Sequence, residues 1–173
     1  MRGKIDCFLP CLDLAEMSDT LEALRHNKTI SNINLIVNRD FIHDEELPAD
    51  CNMIIADNTA STQTIIEIER NTEAEYMLLS IKDTPFILGQ NAPERFLRVA
   101  ADTDAALVYS DRYSVVEGKT VPHPAIDYQE GSIRDDFDFG QLMLIKSELL
   151  HKYAATSHPD YKWAGLYDLR LFI

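Results

Sequence analysis

The sequence predicts a three-layer α/β domain, in which helices cover both faces of a mostly parallel sheet. Short apolar runs alternate along the chain with segments whose apolar residues have helical spacing and whose first residues are polar. The chain has 173 residues, of which 46% are hydrophobic, and that is enough to bury one core. Open sheets of this kind bind ligands outside the carboxyl ends of their strands.

The first strand and the first helix are bounded by a proline and an aspartate. The apolar run that begins at Ile5 is interrupted at Pro10, which predicts the end of a strand. Asp13 and Glu16 have the three-residue spacing of a capping box. Together they predict a helix that continues to about Asn27.

The same alternation of strand and helix continues to about residue 110. A cap at Thr59 or Ser61 predicts a helix that ends near Asn71. Asn91 as a cap, with Pro93 in the first turn, predicts another helix. The predicted strands are residues 5–10, 33–38, 51–56, 76–81 and 105–110.

Polar side chains follow nearly every predicted strand. They are Asp13, Asn38, Asp40, Asp57, Asn58, Lys82, Asp83 and Asp111. Because parallel strands end at one edge of a sheet, we expect these residues to converge there. A group of carboxylates with one lysine suits a diphosphate bridged by a divalent cation. For each residue alone, an ordinary helix cap or polar turn is an equal alternative.

Composition and missing motifs exclude several function classes. The net charge of −13 disfavours nucleic acid as a partner. The sequence has no G-x-G-x-x-G fingerprint, no phosphate-binding P-loop and no G-x-S-x-G elbow. No apolar run approaches the roughly 20 residues of a membrane helix. Three cysteines without a signal peptide predict reduced thiols in a cytoplasm.

Five segments, taken in their order, resemble family 2 glycosyltransferases of the GT-A fold. Residues 7–13 are similar to the family's apolar strand that ends in Pro-x-x-Asn/Asp, and residues 76–84 to its segment that leads into the Asp-x-Asp metal motif. Residues 107–118 resemble a later strand and turn, and residues 131–140 a variant found in bacterial members. Residues 163–171 are similar to the acceptor-side Asp-Leu-x-x-Arg region.

The resemblance implies a nucleotide-sugar-binding half in residues 1–112 and an incomplete acceptor-side region in residues 113–173. The donor contacts that it implies are Pro10, Asp13, Asp40, Lys82, Asp83 and Asp111. It also implies that Asp83 holds Mg²⁺ or Mn²⁺ and that a carboxylate base takes the proton of the acceptor hydroxyl. The family's own acidic pair has no match at its usual position, and Asp135 and Asp136 are the nearest acidic pair for that role. The acceptor would be a sugar or a lipid-linked sugar, and the protein would be cytoplasmic, at the inner face of the membrane.

Two departures from the family pattern bear on activity. Ile81 stands where the first metal carboxylate is expected, and Leu166 occupies the position expected for the base. We therefore expect the 173-residue chain to transfer sugar poorly or not at all. The apolar last residues, 171–173, suggest that the natural protein continues or that this end docks on the sheet.

Two other functions remain open at the level of sequence. In the first, the chain is a domain that binds a sugar nucleotide or a partner without turnover. In the second, it is a phospho-receiver, with Asp57 as the phosphoacceptor and Lys82 as the lysine that such domains carry after their fourth strand. Trp163, Tyr161 and Tyr167 either stack against a sugar or pack in a C-terminal cluster.

Overall fold

The computed structural model describes residues 4–41, 47–126 and 137–173. Within those ranges the strands are β1 (Ile5–Pro10), β2 (Ile30–Val37), β3 (Cys51–Ile55), β4 (Tyr76–Ser80), β5 (Leu107–Val108), β6 (Arg112–Val116), β7 (Lys119–His123) and β8 (Leu142–Lys146). The helices are α1 (Leu14–Arg25), α2 (Thr62–Arg70), α3 (Ala92–Thr103), α4 (Ser147–Ala154) and α5 (Gly165–Phe172).

Six of these strands form one mostly parallel sheet in the order β3-β2-β1-β4-β8-β5. β1 pairs in parallel with β2 on one side and with β4 on the other, and β3 pairs in parallel with β2. β8 runs antiparallel to both of its neighbours, β4 and β5. The predicted fold class, a three-layer α/β domain with a mostly parallel sheet, is confirmed.

The sheet differs from the prediction in three ways. β2 begins at Ile30, three residues earlier than predicted, and β5 is reduced to Leu107–Val108. β8 was not predicted, although its Leu-Met-Leu-Ile run is apolar and largely buried. β8 inserts between β4 and β5, so β5 pairs with β8 and not with β4. That insertion depends on a long-range pairing, which no local pattern encodes.

Successive side chains of β1 point to opposite faces of the sheet and so contribute to two hydrophobic cores, one on each face. Cys7 and Leu9 lie in the cluster that includes α1 and α3, whereas Phe8 lies in the cluster that includes α2, α4 and α5. All three side chains are fully buried. A strand covered on both faces reads as a continuous apolar run, as β1 and β4 do.

Capping bonds explain where the first helices begin. Asp13 is the N-cap of α1, and Ser61 rather than Thr59 is the N-cap of α2, where its Oγ accepts from Thr64 N over 3.1 Å. Asn91 precedes α3, but its side chain makes no capping bond there. Its φ of 55° places it in the left-handed region, so asparagine is tolerated here for its backbone rather than for its cap.

β6 and β7 form a separate two-stranded hairpin. Glu117 and Gly118, which link them, both have positive φ, of 50° and 75°. This is the geometry of the two-residue turns whose twist matches that of the flanking strands. None of the helices in the described ranges is long and apolar enough to cross a membrane.

The strand order excludes the phospho-receiver alternative. Receiver domains have the order 2-1-3-4-5, in which the third strand lies beside the first. Here β3 lies at the edge of the sheet and pairs with β2. Asp57, which follows β3, therefore does not occupy the central position that a receiver's phosphoacceptor needs.

Candidate functional site

A cleft of about 370 Å³ opens at the carboxyl ends of β1, β2, β3 and β4. The strand order reverses beside β1, because β2 and β3 lie on one side of it and β4 lies on the other. Chain connections leave such a point in opposite directions and leave a crevice, which is where open α/β sheets bind ligands. The lining residues are Pro10, Cys11, Leu12, Ile36, Val37, Asn38, Ala56, Asp57, Asn58, Thr59, Ile81, Lys82, Asp83 and Trp163.

The structure places three of the predicted site residues in this cleft. Pro10 ends β1 on one side of the switch point, and Lys82 and Asp83 follow β4 on the other. Both Lys82 and Asp83 are exposed. The cleft therefore presents an ammonium and a carboxylate beside the apolar walls of Pro10 and Ile36.

Three other predicted residues do not line the cleft. Asp13 is used as a cap, and its Oδ1 accepts from Ala15 N over 2.7 Å and from Glu16 N over 3.3 Å. Asp40 is exposed in the turn after β2. Asp111 follows β5, which β8 separates from β4, so it lies two strands away from the switch point.

Asp111 has a local role in the structure. Its Oδ1 accepts the N–H of Ala125 over 2.6 Å and so fastens the chain that follows the hairpin. The predicted catalytic residues, Asp135 and Asp136, lie outside the described residues. Their assignment stays a prediction.

Hydrogen bonds to its neighbours hold the loop that carries Lys82 and Asp83. Ser80 Oγ donates to the carbonyl of Lys82 over 2.8 Å, and Gln141 Nε2 donates to the carbonyl of Thr84 over 2.6 Å. Gln141 precedes β8, so the antiparallel strand also positions this loop. The loop thereby presents Lys82 to the cleft in a defined place.

Asp138 is an acidic neighbour of Lys82 that the sequence did not single out. Its pKa lies below the ordinary value of 3.8, first because the N–H of Gly140 donates to it over 2.8 Å. An ion pair with Arg112 at 2.5 Å and the positive charge of Lys82 lower it further, against the opposing effect of burial. Asp138 therefore carries a negative charge close to Lys82 at neutral pH.

The far wall of the cleft comes from the C-terminal part of the chain. Trp163 lines it with 80% of its surface exposed. Asn58 Nδ2 donates to the carbonyl of Lys162, and the N–H of Gly165 donates to the carbonyl of Ala60 over 2.8 Å. These bonds hold Trp163 beside a loop that lies about a hundred residues earlier in the sequence. No local pattern predicts that contact, so the sequence analysis names Trp163 only as one of three aromatic candidates for a sugar contact.

The donor set in the cleft does not fit a metal held by the protein alone. Among the described residues, no group of three histidine, cysteine, aspartate or glutamate side chains is close enough to hold an ion. Asp57 and Asp83 are the carboxylates of the described lining. Asp57 pairs instead with Arg39 over 3.6 Å. Mg²⁺ and Mn²⁺ prefer several oxygen ligands. Among the residues of the described lining, Lys82 is the one with a cationic side chain.

No family model matches the chain, and no curated protein matches it in sequence. Its fold is similar to that of the bifunctional IspDF from Campylobacter jejuni, at a TM-score of 0.53 and 9% identity over 99% of this chain. The chain spans about half of that protein, 47% of its length. This likeness is one of fold.

Two further structures are more distant. CMP:2-keto-3-deoxy-manno-octonic acid synthetase complexed with CTP has a TM-score of 0.49 and 10% identity, with 92% of this chain and 80% of that one covered. A manganese complex of Rv0371C from Mycobacterium tuberculosis H37Rv has a TM-score of 0.41 and 10% identity, with 90% and 77% covered.

These comparisons correct the resemblance drawn from sequence. The chain is not assigned to the family 2 glycosyltransferases, because no family model matches it and the structure whose fold it shares, that of IspDF, is not one of that family. The quoted segments are short and mark strand ends, which related α/β sheets share. The order in which such segments follow one another along the chain is therefore a property of the fold class more than of one family.

Proposed function

We propose that the cleft at the switch point binds a nucleoside-diphosphate sugar. The observation that carries this proposal is the position of Lys82, which follows β4 at the reversal of strand order and lines a cleft with apolar walls. The volume of about 370 Å³ is within the range of about 300–1,000 Å³ that is usual for small-molecule sites. The apolar walls suit the base, and the ammonium suits the diphosphate.

The chemistry of the cleft favours a ligand that has one compact anionic group. Lys82 is a point charge on a flexible stem and binds phosphate oxygens in several geometries. The overall charge of −13 repels long polyanions, so a small diphosphate that reaches one defined cation is the better match. Asp57 and Thr59, which follow β3, carry side-chain oxygen atoms that suit ribose hydroxyls.

Calorimetric titration with a panel of uridine, guanosine, cytidine and thymidine diphosphate sugars tests the proposal. We expect at least one of them to bind, and Lys82→Ala to weaken its binding roughly 10- to 100-fold, as loss of a charge-assisted hydrogen bond does. Repeating each titration with Mn²⁺ and with EDTA measures any contribution of Asp83 as a metal ligand. Asp83→Ala should remove only the part of the affinity that depends on the metal.

Lys28→Ala is the matched control. Lys28 is exposed and precedes β2, so it lies at the opposite edge of the sheet. The Lys28→Ala substitution removes the same charge from the protein and leaves the cleft unchanged. Equal losses of affinity in the Lys28 and Lys82 variants would refute the site, because only the overall charge would then matter.

We also propose that the described part of the chain holds the nucleotide sugar without passing the sugar to an acceptor. A transfer requires a carboxylate base aimed at the acceptor hydroxyl. Of the two carboxylates in the described lining, Asp57 is paired with Arg39, and Asp83 is beside Lys82. Asp168, in the C-terminal segment, accepts from the hydroxyl of Tyr153 over 2.8 Å and contacts His158, so it too is engaged.

A further inference from the structure

A second cavity of about 460 Å³ adjoins the cleft at the edge of the sheet. The two share Ala56, Asp57, Asn58 and Trp163 in their linings. The second cavity extends away from Lys82, along the first turns of α2. The proposed nucleotide site meets it at these four shared residues, and the rest of the second cavity lies outside that site.

The charges around this second cavity disfavour an anionic ligand. Arg39 and Lys162 face three carboxylates, Asp57, Glu67 and Asp160, which leaves one net negative charge. Arg39 is already paired with Asp57 over 3.6 Å. A phosphate or carboxylate would therefore meet more repulsion than attraction, whereas a neutral polar ligand meets neither.

Groups that bind hydroxyls are free in this cavity. The side chains of Gln63 and Asp160 are exposed and have no hydrogen-bond partner among the residues that the structure describes. An amide offers donors and acceptors together, and a carboxylate accepts from two hydroxyls at once. This combination suits a ligand that carries several adjacent hydroxyl groups.

Trp163 adds an apolar platform to these polar groups. Trp163 is 80% exposed, so its side chain is open to a ligand. The electron-rich face of an indole packs against polarised C–H groups, and one face of a pyranose ring presents a row of them. An aromatic face beside amide and carboxylate groups is thus the complement of a sugar ring.

The backbone fixes this platform before any ligand arrives. The N–H of Thr62 donates to the carbonyl of Tyr161 over 2.9 Å, and Asn58 Nδ2 donates to the carbonyl of Lys162. After Trp163, Gly165 is tied to Ala60 over 2.8 Å. Binding therefore costs little ordering of the chain.

We propose that the second cavity is a carbohydrate-binding site, in which a neutral pyranose stacks on Trp163 and hydrogen-bonds to Gln63 and Asp160. Its hydrogen-bonding residues, Gln63 and Asp160, line only the second cavity and Lys82 lines only the first, whereas Trp163 lines both. The second cavity provides for a glycan or glycoside beside the nucleotide site.

The lone tryptophan of the chain lines both cavities, so its emission detects a ligand in either one and the variants below assign the change to one of them. The probes are the methyl α-pyranosides of glucose, galactose and mannose and N-acetylglucosamine, titrated against the emission of Trp163 and by calorimetry. We expect at least one probe to bind in the millimolar range and to change the emission. Gln63→Ala should weaken that probe roughly 3- to 10-fold, as loss of one neutral hydrogen bond does.

Lys82→Ala, which removes a residue of the other cavity, is the control. It should leave pyranoside binding unchanged, and Gln63→Ala should leave binding of uridine diphosphate unchanged, so the two sites fail or succeed separately. Absence of any probe binding at high millimolar concentration would overturn the proposal. So would pyranoside binding that Lys82→Ala removes and Gln63→Ala does not, or emission changes with inorganic phosphate alone that Lys162→Ala removes.

Discussion

Gly165 lies against the backbone that leads into α2, and no larger residue fits there. A Cβ built on it would lie 2.5 Å from the carbonyl carbon of Ser61 and 2.9 Å from the carbonyl oxygen of Ala60. Backbone atoms of two pinned segments cannot give way as a flexible side chain would. The absence of a side chain at residue 165 is what lets the C-terminal segment carry Trp163 to the cleft.

We expect Gly165→Ala to destabilise the protein by about 1–3 kcal/mol, the usual cost of overpacking. Urea unfolding measures that change, and the emission of Trp163 in the folded state should shift as its segment moves. Gly89→Ala is the control, because nothing lies within 4 Å of a Cβ at Gly89. If both variants have the same free energy of unfolding, the close approach at Gly165 does not contribute to stability.

The role of the buried carboxyl group of Asp6 is apparent only in the folded chain. It lies in β1 and is fully buried. Its two oxygens accept from Asn32 Nδ2 over 2.8 Å and from the N–H groups of Glu73 and Ala74, each over 2.7 Å. In the sequence it merely interrupts an apolar run, whereas in the structure it ties β2 and the turn before β4 to the central strand.

At the scale of elements, α1 begins at a residue that the sequence assigned to ligand binding. The carboxylate of Asp13 satisfies two N–H groups of the first turn, which have no partner within the helix. The cleft lies nearby, at the end of β1, but Asp13 is not among its lining residues. Capping and binding make different demands, since serine can cap a helix but carries no charge.

We expect Asp13→Ala to lower the free energy of unfolding by about 1 kcal/mol, and Asp13→Ser to restore most of it, because serine also caps helices. Thermal unfolding of both variants measures this. Nucleotide-sugar affinity in the Asp13→Ser variant should match that of the parent protein. A variant that is as stable as the parent but has lost affinity would give Asp13 the binding role that the sequence suggested.

β8 is the element that most changes the layout of the site. Its antiparallel pairing with β4 places Gln141 at the loop of Lys82 and puts β5 about 10 Å from β4, two strand spacings away. The polar residue after β5 is thereby removed from the cleft. If β5 paired directly with β4, Asp111 would follow the strand next to the one that Asp83 follows.

At the scale of the whole molecule, two adjoining cavities lie at one edge of the sheet of a protein whose net charge is −13. The sheet supplies Pro10, Lys82 and Asp83, and the C-terminal segment closes the site with Trp163. Binding of two ligands does not by itself give catalysis, since only interactions that strengthen in the transition state accelerate a reaction.

We expect no sugar transfer when the protein is incubated with labelled nucleotide sugars and a range of sugar and lipid-linked acceptors. Loss of a single group that stabilises the transition state costs about 3 kcal/mol, or a hundredfold or more in rate. Slow hydrolysis of the donor without transfer agrees with this expectation. Transfer that Asp136→Asn abolishes and Asp135→Asn does not would contradict it and would make Asp136 the base.

The sequence by itself determined the fold class, the parallel strands and the residues that follow them. Apolar runs, caps and turns are local signals, and the edge at which parallel strands end follows from their direction alone. For that reason the sequence predicts that Pro10, Asn38, Asp57, Asn58, Lys82 and Asp83 lie at the strand ends, and the structure places all six in the lining of one cleft.

Only the tertiary structure decided which of those residues meet and what closes the site. The strand order β3-β2-β1-β4 places the switch point at β1, and the insertion of β8 excludes Asp111. The approach of Gly165 to Ala60 brings Trp163 to both cavities. Each depends on pairing between segments far apart in the chain, whose free energy comes from packing and hydrogen bonds that no local pattern records.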